Sequence, residues 1–175
     1  VFVVGNTAYV ARGTDGMSTV NVTNKNAPAL LDTEDPGGTH RGVFVDGNYA
    51  YVAIAALGLA IINVSNPSNL STSSTFNTPD SAYNLFKQGN EVYIADDSSL
   101  YIVNVSNPAS PAFARSFATP YGYRDIHISG EYAYLSVPSS YSFLSVDIID
   151  GPRINNAQVA ALSFVDFNGW AFPPD

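Results

Sequence analysis

Gly47-Asn48-Tyr49-Ala50-Tyr51-Val52-Ala53, running on to Leu59-Ala60-Ile61-Ile62-Asn63-Val64-Ser65-Asn66-Pro67, decides the fold, because altered copies of it recur along the whole chain. Gly5-Asn6-Thr7-Ala8-Tyr9-Val10-Ala11, Gly89-Asn90-Glu91-Val92-Tyr93-Ile94-Ala95 and Gly130-Glu131-Tyr132-Ala133-Tyr134-Leu135-Ser136 are the other three. The leading glycines step by 42, 42 and 41 residues, a period that fits propeller blades and other stacked repeat units.

Within each copy four short apolar runs alternate with turn residues. Val1-Phe2-Val3-Val4, Val43-Phe44-Val45, Leu85-Phe86 and Ile126-His127-Ile128 read as first strands. A Gly-Asn or Gly-Glu turn ends each of them and supplies the positive φ that a tight hairpin needs. The second strands carry Tyr9, Tyr51, Tyr93 and Tyr134 at one repeat position. Flat rings beside small residues at fixed register suit sheets packed face to face, so these tyrosines are expected between blades rather than in an exposed binding stripe.

Third strands read Met17-Ser18-Thr19-Val20-Asn21, Leu59-Ala60-Ile61-Ile62-Asn63, Leu100-Tyr101-Ile102-Val103-Asn104 and Phe143-Leu144-Ser145-Val146-Asp147. Asn26-Ala27-Pro28, Asn66-Pro67 and Asn107-Pro108 then force a turn, since proline removes a ladder donor and restricts the residue before it. Fourth strands are expected at Ala29-Leu30-Leu31-Asp32, Ser73-Ser74-Thr75-Phe76, Phe113-Ala114-Arg115-Ser116-Phe117 and Val159-Ala160-Ala161-Leu162-Ser163-Phe164. Four strands per repeat without a helix-period stretch predict an all-β propeller with one blade per repeat. The blades are placed at about residues 1–38, 39–80, 81–121 and 122–165, followed by a tail at 166–175, and they form either a small ring or part of a larger one.

The third-strand pattern, plainest at Leu100 to Asn104 with Val105-Ser106-Asn107-Pro108 following, resembles the LVIVD-repeat family, named for a Leu-Val-Ile-Val-Asp run. The resemblance extends over all four repeats. Three copies end in Asn where the family run has Asp, and Asp147 alone keeps the acid. What the resemblance implies is a β-propeller of a kind found in bacterial and archaeal surface or exported proteins, mostly without an assigned activity.

Composition narrows the remaining possibilities. The 175-residue chain is 46% hydrophobic and 13% aromatic, enough for a sizeable core. Fifteen acidic residues against seven basic ones give a net charge of −8, which disfavours nucleic acid as a partner. Without cysteine there are no disulfides, zinc–thiolate sites or thiol nucleophile. The opening residues lack an initiator Met and a charged n-region, so a signal peptide, if present, is expected upstream. Residues 49–64 carry no charge but are too few for a typical span and read as two strands around Ala55-Ala56-Leu57-Gly58; no membrane span is expected.

No motif declares a reaction, so no catalytic residue, metal ligand or cofactor is assigned. His40 and His127 occupy different repeat positions and do not form a metal pair. No Gly-x-Ser-x-Gly elbow occurs, and Pro36-Gly37-Gly38-Thr39 lacks the lysine of a phosphate loop. Asp96-Asp97 and Asp32, Glu34 and Asp35 have no EF-hand spacing and read as solvated acidic loops. Asn21, Asn63, Asn69 and Asn104 head N-glycosylation triplets, three of them at one repeat position that the fold alone would also repeat.

The informative set lies on segments expected to enter each first strand: His40 and Arg41, Tyr83 and Asn84, and Tyr123, Arg124 and Asp125. Together with Asp15, Asp96 and Asp97 from the loop between second and third strands, they are expected near the central channel, as a ligand site or as ion pairs among themselves. The expected function is a non-enzymatic scaffold that binds a protein partner or copies of itself, in the extracellular or cell-surface setting that the resemblance to the LVIVD-repeat family implies. The alternative is a carbohydrate-binding or enzymatic propeller using the channel-face loops. An N-terminal blade face with Tyr9 and Val10 is expected to be uncovered unless further blades, or a neighbour's Phe167, Trp170 and Phe172, close it.

Overall fold

The computed structural model describes residues 1–118, 122–137 and 142–148. Four antiparallel sheets follow one another along the chain, each with its strands hydrogen-bonded in sequence order. The first holds β1 (Phe2–Val4), β2 (Thr7–Ala11), β3 (Met17–Asn21) and β4 (Ala29–Glu34). The second holds β5 (His40–Asp46), β6 (Tyr49–Ile54), β7 (Gly58–Asn63) and β8 (Ser71–Phe76). The third holds β9 (Ala82–Gln88), β10 (Glu91–Asp96), β11 (Ser99–Asn104) and β12 (Ala112–Ala118), and the fourth β13 (Asp125–Ser129), β14 (Tyr132–Val137) and β15 (Ser142–Asp147). The expected strand at 159–164 and the tail with Phe167, Trp170 and Phe172 lie outside the described residues.

Local chemistry explains why the copies repeat. Gly5, Gly47, Gly89 and Gly130 open their hairpins at φ between 56° and 60°, and at each of them a Cβ would meet nothing within 4 Å. The backbone angle, rather than crowding, selects glycine there. After each third strand the side chain of Asn21, Asn63 or Asn104 accepts the backbone N–H two residues on, at 2.9 Å in all three. A carboxylate oxygen accepts that bond equally well, so the exchange of Asp for Asn at the end of the repeat run leaves the turn intact. The pairing of third and fourth strands slips at one repeat position, after Thr19, Ile61 and Ile102, giving each of these blades the same bulge.

Among the described residues helix is confined to a single 3₁₀ turn, Ala55–Leu57, which divides the uncharged run into β6 and β7 as its sequence suggests. No described helix is long and apolar enough to cross a membrane.

Each sheet has a tyrosine face and an aliphatic face, and the two meet in order. Tyr9 and Met17 of the first sheet pack on Val45, Val52 and Ile62 of the second. Tyr51, Leu59 and Ile61 of the second pack on Val92, Ile94 and Val103 of the third. Tyr93, Leu100 and Ile102 of the third pack on Ile126, Ile128 and Leu135 of the fourth. Successive first strands β1, β5, β9 and β13 adjoin one another, the arrangement of strands around a propeller hub.

Three expectations are corrected here. The first strands reach further than their apolar cores: β5 begins at His40 and β9 at Ala82, because pairing with β6 and β10 sets their length. Of the four equivalent tyrosines three are buried, whereas Tyr134 is 39% exposed, since its face lies beyond the last described sheet. Tyr9 likewise is not on the N-terminal blade face; it points to the second sheet, and Val1, Val3, Val4 and Leu30 are the exposed large apolar residues of the first sheet and its start.

Candidate functional site

The candidate residues converge on the hub because their strands do. His40 and Arg41 lie in β5, Tyr83 and Asn84 in β9, and Asp125 in β13; only Tyr123 and Arg124 precede their strand. His40, Asn84 and Asp125 are ladder residues, not loop residues, which corrects the expectation from sequence, while Arg41 and Tyr83 are the bulged residues of their strands, skipped by the pairing with β6 and β10. Arg41, Tyr83 and Arg124 occupy one repeat position in three successive blades, so their side chains stack. The Arg41 guanidinium sits 4.0 Å from the Tyr83 ring centroid and that of Arg124 sits 3.6 Å from it. Planar guanidinium on a π face is a favourable pairing, worth about 0.5–1 kcal/mol at exposed sites.

Arg124 also donates to Asp97 Oδ1 at 2.8 Å and to the Tyr123 carbonyl at 3.1 Å. Arg41 has no carboxylate partner among the described residues. One position further on, Asn84 Nδ2 donates to Asp125 Oδ1 at 2.5 Å. The equivalent in the second sheet is Gly42, where a Cβ would stand 2.9 Å from the Asn84 Cα. Adjacent inner strands approach too closely there for any side chain.

His40 is buried. Its Nδ1 donates to the Gly13 carbonyl at 3.0 Å, and its backbone exchanges two hydrogen bonds with Gly13, tying the first sheet to the second. Asp35 lies 4.0 Å from Nε2. Asp15 stays apart from the stack, loosely paired with Arg12 at 3.5 Å on the first sheet. Asp96 is not a solvated loop acid: it ends β10 in full burial, bonded to the Asp97 N–H at 2.7 Å. Burial pushes its carboxyl above the usual range, against the opposing pull of hydrogen bonds from Thr78 and Asp97. Asp32 and Glu34 are strand residues too, accepting the N–H groups of Leu70 and Thr72 in the next blade at 2.7 and 2.8 Å. The backbone N–H groups of Leu70 and Thr33 hold Asp32 below the ordinary carboxylate value.

Several features escaped the sequence reading. Phe2, Phe44, Phe86 and His127 form an aromatic ladder with centroid steps of 4.8, 5.0 and 5.1 Å. Asp46 pairs with Lys87 at 2.6 Å across the second and third sheets. Glu91 takes two hydrogen bonds from Arg115, at 2.5 and 2.9 Å, and a third from the Tyr93 hydroxyl. Arg115 holds the Glu91 carboxyl below its usual range. Writing the four repeats one under another would have shown the ladder and the Arg–Tyr–Arg column, because both are contacts between equal positions.

A family model described as LVIVD repeat matches residues 1–33, 37–78, 81–119 and 123–149. This chain belongs to the LVIVD repeat family. Its LVIVD runs supply the third strand of each blade, the one bearing the Asn turn. No curated protein matches the chain. Among solved structures it is similar to a functionally unknown protein from Desulfotomaculum acetoxidans, with a TM-score of 0.68 at 19% identity, over 82% of this chain and 51% of that one. It is also similar to two computationally designed proteins, each at 8% identity. Ika4 matches with a TM-score of 0.67 over 83% of this chain and 88% of its own. Ika8 matches with a TM-score of 0.66 over 86% of this chain and 46% of its own. The LVIVD chain thus spans about half the length of the first of these relatives.

Proposed function

We propose that this LVIVD propeller is a non-enzymatic scaffold, outside the cell or on its surface, that works by holding and presenting blades to a protein partner or to copies of itself. One observation carries the reading: the polar groups gathered at the hub are engaged with one another across blades. Both faces of Tyr83 are occupied by guanidinium groups, Arg124 is paired with Asp97, and Asn84 with Asp125. A sugar ring needs a free aromatic face to stack upon, and Tyr83 offers none. Groups spent in this way join blades. The extracellular setting draws its support from the family resemblance alone.

A second reading, a carbohydrate-binding or enzymatic site at the same face, has one observation in its favour. Arg41 is exposed and lacks a carboxylate partner among the described residues, so an acidic saccharide or another carboxylate ligand would find a donor there. Thermal unfolding with a saccharide panel that includes uronic acids separates the two, because a ligand that binds only the folded chain raises its midpoint. The scaffold reading expects no Arg41-dependent rise and a lower midpoint for Tyr83→Ala. A rise that vanishes in Arg41→Ala would establish the second reading instead. Peptide mass mapping of secreted protein tests modification at Asn21, Asn63, Asn69 and Asn104.

A further inference from the structure

Arg41 and Tyr83 are aimed by the same device. Each is the extra residue of a bulge near the start of its strand, skipped by the pairing with β6 or β10, and a bulge turns a side chain out of the ladder. Because the two bulges hold one repeat position in successive blades, the Arg41 guanidinium comes to rest 4.0 Å from the centre of the Tyr83 ring. Stacking uses the face of a guanidinium and leaves its in-plane N–H edge for a hydrogen-bonding partner. The opposite face of the ring shows what such an edge takes: Arg124, 3.6 Å from the same centre, donates to the Asp97 carboxylate at 2.8 Å.

Arg41 lacks that partner because of the sequence of the first blade. Counted from the hairpin glycines, the place of Asp97 is held there by Gly13, in the turn that bridges to His40. Gly13 carries no side chain, and a Cβ on it would meet nothing within 4 Å. Neighbouring carboxylates are engaged elsewhere: Asp15 faces Arg12, Asp35 accepts the Gly37 N–H at 2.9 Å, and Asp125 is held by Asn84. Arg12, Arg115 and Arg124 each have a carboxylate partner; Arg41 is the arginine left without one among the described residues.

We propose that Arg41 anchors a protein partner at the hub by taking one carboxylate from an aspartate or glutamate side chain of that partner, as Arg124 takes Asp97. The inference deepens the scaffold reading and rests on it. The ring orients the guanidinium before binding, so little freedom is lost when its parallel N–H groups meet a carboxylate. A sugar gains nothing from the ring, since both of its faces are covered. The chain as a whole carries a net charge of −8, which repels a dense polyanion. A single acidic group on an otherwise neutral segment still reaches a guanidinium that has no counter-ion.

Magnetic-resonance titration of the isotope-labelled chain tests this, with the Arg41 Nε–H resonance as readout. The probes are acetyl-Gly-Glu-Gly-amide, its glutamine counterpart and glucuronate. Expected is a saturating shift of Arg41 with the glutamate peptide, none with the glutamine peptide, and a weaker one or none with glucuronate. Gly13→Asp supplies a carboxylate at the place of Asp97 and should weaken the glutamate peptide at least about tenfold, the size of one charge-assisted pair, while an unmoved Arg124 resonance shows that the hub is intact. Arg41→Gln gives a second comparison, read at the Gly13 and His40 amides, whose shifts with the glutamate peptide should disappear. No shift at Arg41, an equal response to the glutamine peptide, or a glutamate affinity indifferent to the substitutions overturns the proposal and leaves the scaffold reading standing. Glucuronate bound more tightly than the glutamate peptide overturns both, because it assigns Arg41 to a saccharide.

Discussion

Tyr51→Ala and Tyr134→Ala are the same substitution at one repeat position, and their costs should differ because only one ring has a described sheet against it. Tyr51 is 2% exposed, set among Ala53, Leu59, Ile61, Val92 and Ile94. Lys87 Nζ lies 5.5 Å from its centroid, and burial together with nearby Asp46 pushes its hydroxyl up to about 12. Truncating an aromatic in such a place loses its transfer energy and leaves a cavity, about 3–5 kcal/mol together. Tyr134 already has 39% of its surface in water, so it loses less apolar burial, and about 1 kcal/mol is expected. Tyr93→Ala should match Tyr51→Ala, with up to about 1 kcal/mol more for the hydroxyl bond to Glu91. Urea unfolding followed by tyrosine fluorescence and circular dichroism measures all three, provided the m-value is unchanged between variants. Equal costs at Tyr51 and Tyr134, or a loss below about 1 kcal/mol at Tyr51, would refute the order of tyrosine and aliphatic faces.

Further expectations follow from single sites. Glu91→Gln should cost about 1 kcal/mol at neutral pH. Because the folded-state pKa of Glu91 is depressed, the wild-type advantage is full above its unfolded value and should vanish as pH falls through the folded one, which urea midpoints from pH 7 downward will show. Asp96 has the opposite sign: its folded pKa is raised by burial. The stability of Asp96→Asn relative to wild type should therefore grow as pH rises above 3.8, the ordinary carboxylate value; a constant difference across that range would count against a buried carboxyl. Gly58→Ala meets the Phe76 carbonyl 2.5 Å from its Cβ at φ +79°, whereas Gly47→Ala at φ +56° meets nothing. The first should cost at least about 3 kcal/mol and the second about 1, by thermal or urea unfolding.

Repetition made the blades readable, and it marks where reading from sequence stopped. The hairpin glycines, the Asn turns and the second-strand tyrosines each depend on interactions within a blade or with the next one, so position in the repeat predicted them. Tyr134 failed that rule, since an equal position does not guarantee an equal neighbour. His40, Arg41, Tyr83 and Asn84 looked like loop residues because they are polar, yet β5 and β9 run on through them, paired at His40 and Asn84 and bulged at Arg41 and Tyr83. Asp96 looked solvated beside Asp97, although it holds the position of buried Ile54. The stack of Arg41, Tyr83 and Arg124 is a contact between repeats, invisible to any window that reads one repeat at a time.

The order of the blades around the hub is the central claim, and nuclear Overhauser contacts between aromatic rings measure it most directly in a chain of 18.6 kDa. The ring protons of Phe44 should show cross-peaks to Phe2 and to Phe86, and those of Phe86 to His127, with none between Phe2 and Phe86 or between Phe44 and His127. Cross-peaks that skip a blade, or no contact between Phe44 and Phe86, would contradict the stack of sheets on which the hub site depends.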